Sequence, residues 1–123
     1  MSYKYINTEE LRNNFLISEE KGYITPEFKL QLIQIIEDVM KKYDWPRLSE
    51  LDIKVLYWSA LKDVCIHWIN FNSKKYDNPF PYFIEITKRS IATSYNKMSN
   101  LRKQYCQEQR KEKLQKIENY TGI

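Results

Sequence analysis

Glycine is almost missing from this chain. Only Gly22 and Gly122 stand among its 123 residues. A sandwich or barrel of short strands needs many tight turns, and glycine is the usual residue of such turns. So few glycines predict long elements joined by few turns, an all-α fold. At this length one domain is the expectation, with a single modest core. Apolar residues make up 42% of the chain and are interspersed with charge, so the chain is not disordered throughout.

Local start and stop signals divide the chain into about four helices. Asn7 followed by Glu10 reads as a capping box, opening a short helix over about 8–18 with Leu11, Phe15 and Leu16. Lys21-Gly22 breaks it. Thr25-Pro26 places a cap and a first-turn proline ahead of a helix over 26–43. Phe28, Leu32, Ile35, Ile36, Val39, Met40 and Tyr43 keep helical spacing there. Asp44-Trp45-Pro46 stops that helix. Ser49 caps the next one, with Asp52 in its first turn. Its expected inward face carries Ile53, Leu56, Ala60, Leu61, Val64, Cys65, Trp68 and Ile69 through about residue 70. Lys54, Trp58, Lys62 and Asp63 lie opposite.

A loop over 71–78 follows, with Asn78 as cap and Pro79 as first helical residue. Phe80, Ile84, Thr87, Ile91, Ser94, Met98, Leu101 and Tyr105 then alternate steps of four and three, a heptad seam on one long helix. Thr87 and Ser94 interrupt it, so core packing by its first half is the reading preferred to a dedicated coiled coil. Beyond Tyr105 the run QEQRKEKLQKIE extends the helix into solvent or frays, and Asn119 to Ile123 are expected to be loose. The expected layout is an extension over 1–24, a core over 25–105 and a basic extension over 106–123.

Net charge is +4, unevenly placed. Residues 1–87 hold 11 Lys/Arg against 13 Asp/Glu, and residues 88–123 hold nine against three. An acidic front and a basic back suggest two different partners. Positive helices attract phosphate by releasing its condensed counterions; a solvated basic helix without a ligand is the plain alternative.

Catalysis finds little footing. His67 is the single histidine, without a Cys or Ser partner by spacing, and no glycine-rich phosphate loop occurs. Glu37 and Asp38 are neighbours and point different ways on a helix; both are expected to face water. Cys65 and Cys106 make neither a disulfide framework nor a metal pattern, and Cys65 reads as a small core residue. No catalytic residue, metal or cofactor is expected. MSYKYINTEE lacks the apolar run of a signal peptide. No apolar span is long enough for a membrane helix, so a reducing cytoplasm is expected.

The informative cluster is aromatic and basic. Tyr76, Phe80, Tyr82 and Phe83 crowd the start of the last helix, and Lys88, Arg89, Tyr95 and Lys97 follow. Aromatic rings stack on unpaired bases while cations hold the backbone. Phe80 lies on the seam and is expected in the core; Tyr82 stays open between core cover and exposed ring.

These residues also carry a resemblance. Asn70-Phe71-Asn72, then Lys74 and Lys75, then Asn78-Pro79-Phe80-Pro81-Tyr82-Phe83 resemble region 2 of bacterial sigma factors. More closely they resemble the small late-transcription sigma factors of large tailed bacteriophages. INTEEL and ITPEFKLQLIQIIEDVMKKY are similar to that family's leading helices, and LRKQYCQEQRKEK to its Lys/Arg/Gln/Tyr-rich tail. The resemblance implies a compact sigma region 2-like bundle with a long basic C-terminal helix. It implies that Trp58, Ser59, Lys62, Asp63 and Ile66 face the clamp coiled coil of the largest subunit of core RNA polymerase. Tyr82 and Phe83 match the part that captures a melted promoter base. Glu85, Lys88, Arg89 and Ala92 would face promoter duplex, with Lys97, Arg102 and Lys103 following the phosphates. Pro81 stands where the family has alanine, and Glu85 sets a negative charge on the DNA side. ENYTGI has little of the hydrophobic tail that grips the sliding clamp, so a clamp partner is not expected.

The function so implied is a phage sigma-like polymerase subunit acting in the host bacterial cytoplasm. The alternatives are a polymerase-binding regulator that does not open promoters, and a helical virion or assembly protein.

Overall fold

The computed structural model describes residues 6–43, 45 and 48–121, without the side chains of 117–121. Among them are four α-helices and no strand, as the glycine count implies: α1 (Thr8–Lys21), α2 (Pro26–Lys41), α3 (Glu50–His67) and α4 (Phe80–Thr121). A single 3-10 turn, Trp68–Asn70, tightens the end of α3.

Each helix starts where a side chain takes up orphan backbone N–H groups. The Asn7 side chain accepts from the N–H groups of Glu9 and Glu10 at 2.9 and 3.2 Å. Thr25 accepts from the N–H of Phe28 at 3.3 Å, with Pro26 opening α2. Ser49 and Asp52 form a reciprocal box at the head of α3. Asn78 accepts from the N–H of Phe80 at 3.0 Å, and the first helical backbone bond runs from the Phe83 N–H to the Pro79 carbonyl at 3.2 Å, so α4 begins at Phe80 rather than at Pro79. Helix α1 runs three residues beyond its expected end. Gly22, at φ 81°, closes it in the left-handed conformation, its N–H donating to the Ser18 carbonyl at 2.8 Å. The Thr25 N–H donates to Ser18 Oγ at 3.1 Å, fastening the α1–α2 corner through two buried hydroxyl residues. Asp44 and Pro46 of the expected stop signal lie outside the described residues.

The core is aromatic at its centre. Phe15 on α1 has no exposed surface. The rings of Phe28, Trp68, Phe71 and Phe83 surround it at centroid distances of 6.0, 5.8, 5.2 and 6.3 Å. Most meet edge to face, the arrangement that ring quadrupoles favour. Leu11, Leu32, Ile35, Ile36, Val39, Leu56, Ala60 and Val64 complete the layer between α1, α2 and α3.

Three expectations about burial change. Cys65 on α3 is exposed, and so is Ile69 in the 3-10 turn that follows it. Phe83, one step off the heptad seam, is fully buried, while Phe80 is only half-buried. A straight helix repeats every 3.6 residues, so its contact stripe drifts off a strict seven-residue seam. Glu37 faces water as expected, but Asp38 is buried, one carboxylate oxygen accepting from Gln34 Nε2 at 2.8 Å.

Helix α4 has 42 residues, about 63 Å at the usual rise. Thr87, Ser90 and Ile91 are buried against the bundle. Thr87 sits on the seam at little cost because its Oγ1 donates to the Phe83 carbonyl at 2.8 Å. Every side chain from Asn100 to Lys116 is exposed, Leu101 and Tyr105 included. The last two seam positions are therefore bare, while Met98 before them still packs against the core. The helix projects through Thr121; the remaining Gly122 and Ile123 lie outside the described residues.

Candidate docking and nucleic-acid surfaces

Helix α3 is apolar on both sides. Leu56, Ala60 and Val64 are buried, yet Leu51, Val55, Trp58, Ile66 and Ile69 are exposed, Trp58 at 62%. At 100° per residue, positions 51, 55, 58, 62, 66 and 69 fall within about 80° of one another. Five large apolar side chains with Lys62 among them thus form one outward stripe. Contiguous exposed apolar surface on a small protein marks an interaction site. Of the residues matched to polymerase docking, Trp58, Lys62 and Ile66 lie on this stripe. Ser59 and Asp63 do not: both are half-buried, and Asp63 lines a cleft shared with α4. Leu51, Val55, Cys65 and Ile69 belong to the surface and were missed. Cys65 and Ile69 read from sequence as part of the inward face, since a helix apolar nearly all round does not mark where that face ends. Burial pushes the Cys65 thiol pKa up, with Lys29 of α2 pulling the other way, which favours the neutral thiol.

The residues matched to promoter DNA divide into groups. Glu85, Lys88, Arg89 and Ala92 are exposed on one face of α4. Arg89 Nε lies 3.1 Å from Glu85 Oε1, so the negative charge on this face is paired within its own helix. An exposed pair of this kind adds little stability. Lys103 falls on the same face. Lys97 does not, since five steps of 100° turn it about 140° away from Ala92. Arg102 bonds the carboxylate of Asp52 on α3 and ties the base of the projecting rod to the bundle. A phosphate approaching Arg102 must compete with that carboxylate.

Asp52 serves two elements at once. Its Oδ2 accepts from the Ser49 N–H at 3.2 Å. That bond, helped by the Ser49 hydroxyl and Arg102 against a smaller effect of burial, holds its pKa below the ordinary carboxylate value. A depressed pKa contributes stability that is complete above the ordinary value of about 4 and is lost as pH falls through the lower folded value. Asp52→Asn is therefore expected to flatten the fall of the urea midpoint as the pH drops below the ordinary carboxylate value of about 4. An unchanged acid limb would show that Asp52 carries none of it.

Phe83 does not belong to the DNA surface. With 0% exposure it has no face to offer a base, and its neighbours are Phe15 and Phe28. The exposed aromatic site lies beside it, in the loop before α4. Asn70, Asn72, Tyr76, Asn78, Pro81 and Tyr82 line an open cleft of about 350 Å³ whose floor is the edge of the buried Phe71. The Phe71 ring stands 6.3 Å from Tyr76 and 5.6 Å from Tyr82. Tyr82 is half-buried; its hydroxyl donates to the His67 carbonyl at 3.0 Å, which fixes the ring, and burial pushes its phenol pKa up. Lys75 Nζ sits 5.3 Å over the Tyr76 ring. Asn72 holds the loop by accepting from the N–H groups of Lys74 and Lys75 at 3.1 and 3.2 Å. Ring walls, three carboxamides and an adjacent ammonium suit a flat heteroaromatic ring that carries polar edges beside a phosphate. The three asparagines and Phe71 read from sequence as loop and cap chemistry, and only the folded loop brings them to one cleft.

No group of His, Cys, Asp and Glu among the described residues is arranged to hold a metal ion. None of their helices is long and apolar enough to cross a membrane. The molecule is a small helical bundle with an exposed apolar stripe on one side and an aromatic, cationic surface on another. Compared with family models, curated proteins and solved structures, the chain matches none.

Proposed function

We propose that this chain is a phage-encoded sigma-like subunit that binds core RNA polymerase and directs promoter recognition and opening. The observation that carries the reading is the division of its surface: a bare apolar stripe on α3, and around the corner an aromatic cleft leading to the basic face of α4. The stripe docks on the clamp coiled coil of the largest subunit. The cleft of Phe71, Tyr76 and Tyr82 receives a base from the melted strand, and Lys88, Arg89 and Lys103 lie along the phosphates. Separating base pairs requires a few kcal/mol, and stacking returns about 1–3 kcal/mol per base. No covalent step is needed. The site of action is the host cell.

The test is transcription from a phage promoter with reconstituted core polymerase. Tyr76→Ala with Tyr82→Ala is expected to lower productive initiation at least about tenfold, one lost stack's worth, while polymerase still co-purifies with the chain. Undiminished initiation by that variant sinks base capture. The burial of Phe83 favours a second reading, a polymerase-binding regulator without promoter opening, and a chain that binds polymerase but never initiates would select it.

A further inference from the structure

The stripe on α3 is self-complementary. Its centre line runs through Leu51, Val55, Trp58, Lys62, Cys65 and, in the 3-10 turn that ends α3, Ile69, all exposed, with Ile66 at one edge and Lys54 at the other. The spacing along that line is four, three, four, three and four residues, which reads the same in both directions about the level of residue 60. A two-fold axis at that level lays a second α3 antiparallel on the first. Leu51 then meets the partner's Ile69, and Val55 meets the partner's Cys65. Trp58 meets the partner's Lys62, and the symmetry makes that contact twice.

The chemistry of each pairing agrees. Apolar side chains cover one another toward the ends. At the centre an ammonium lies over an indole face, the best of the cation–π pairs. Lys62 enters no salt bridge among the described residues, so its charge is available to the ring. No carboxylate interrupts the stripe, and antiparallel helices set their dipoles in opposition. A C2 interface requires one patch that complements itself, and the stripe has that property.

We infer that a second copy of this chain covers the α3 stripe as an antiparallel α3–α3 pair. Taken with the proposed function, on which this consequence rests, the pair hides the docking face until core polymerase displaces it. The chain would then be stored as an inactive dimer and consumed as a monomer.

Sedimentation of the full chain over a wide concentration range tests the pair. The expected result is a monomer–dimer equilibrium. Trp58→Ala and Lys62→Glu should each raise the dimer dissociation constant at least about tenfold, while Lys62→Arg keeps the dimer. A monomer at every concentration, or a dimer indifferent to Trp58→Ala and Lys62→Glu, overturns the inference. The register is tested separately in a Cys106→Ser background with a short bifunctional maleimide. Val55→Cys should cross-link to the partner's Cys65. The native Cys65 pair, about 15 Å apart along the axis, should not, and neither should Leu114→Cys on the rod. Equal cross-linking of all three overturns the antiparallel register. Core polymerase capture is scored on its own. A monomeric chain that binds polymerase overturns the pair and leaves the function standing. A dimer that polymerase never dissociates and never binds overturns the function and leaves the pair standing.

Discussion

Phe83→Ala is expected to destabilise the fold by about 3–5 kcal/mol, the usual range for a buried phenylalanine cut back to its Cβ. The ring has no exposed surface. It touches Phe15 of α1 at 6.3 Å, Phe28 of α2 at 5.6 Å and Tyr82 at 5.7 Å, so its loss opens a hole where three helices meet. A small domain holds about 5–15 kcal/mol in total, and this one change removes a large share. Urea unfolding followed by circular dichroism reads the loss directly. A loss under about 1 kcal/mol would show that the ring is not held in the core. The variant also separates two roles. Phe83→Leu keeps most of the volume and should cost under about 1.5 kcal/mol. If Phe83 serves only packing, promoter activity survives Phe83→Leu; if its ring stacks on DNA, activity fails while the fold stands.

Trp58→Ala is expected to do the opposite. The indole is 62% exposed, and among the described residues its one ring contact is Tyr57, edge to face at 5.5 Å between centroids. Stability should therefore stay within about 0.5 kcal/mol. Binding to core polymerase should weaken roughly 30-fold or more, since a tryptophan at the centre of an interface contributes about 2 kcal/mol or more. The measurement is made at a dilution where the chain is monomeric, so that release of a dimer does not mask the loss. Unaltered polymerase affinity would show that docking does not use the α3 stripe, and a fall in stability equal to the fall in binding would mean that Trp58 is structural.

These two rings show why reading from residues succeeds in one place and fails in another. Phe83 and Trp58 sit in similar apolar company along the chain. Both were candidates for a functional surface, yet one is at the centre of the core and the other is bare. The difference lies in what each helix packs against. Phe80 was the expected core ring because it begins the heptad seam; the contact stripe of α4 keeps the seam residues Thr87 and Ile91 but takes in Phe83 and Ser90 beside them. Lys97 was grouped with Lys88 and Arg89 by nearness in sequence, but the turn of the helix carries it to another side.

The beginnings of the four helices were legible because each rests on chemistry within three residues: Asn7 with Glu9 and Glu10, Thr25 with Phe28, Ser49 with Asp52, Asn78 with Phe80. Scarcity of glycine determined the all-α class for the same reason, since a turn is a local event. Everything that depends on distant residues was decided by the tertiary structure. Arg102 meets Asp52 across 50 residues, Ser73 donates to Glu19 across 54, and the Phe71–Tyr76–Tyr82 cleft exists only once the loop folds back on α4. The core side of α3 was legible at Leu56, Ala60, Val64 and Trp68, but where that face ends was not, because Cys65 and Ile69 are as apolar as their neighbours and only the positions of the other helices leave them exposed. Capping is a contest between a side chain and its own backbone, which composition records; burial is a contest between helices, which it does not.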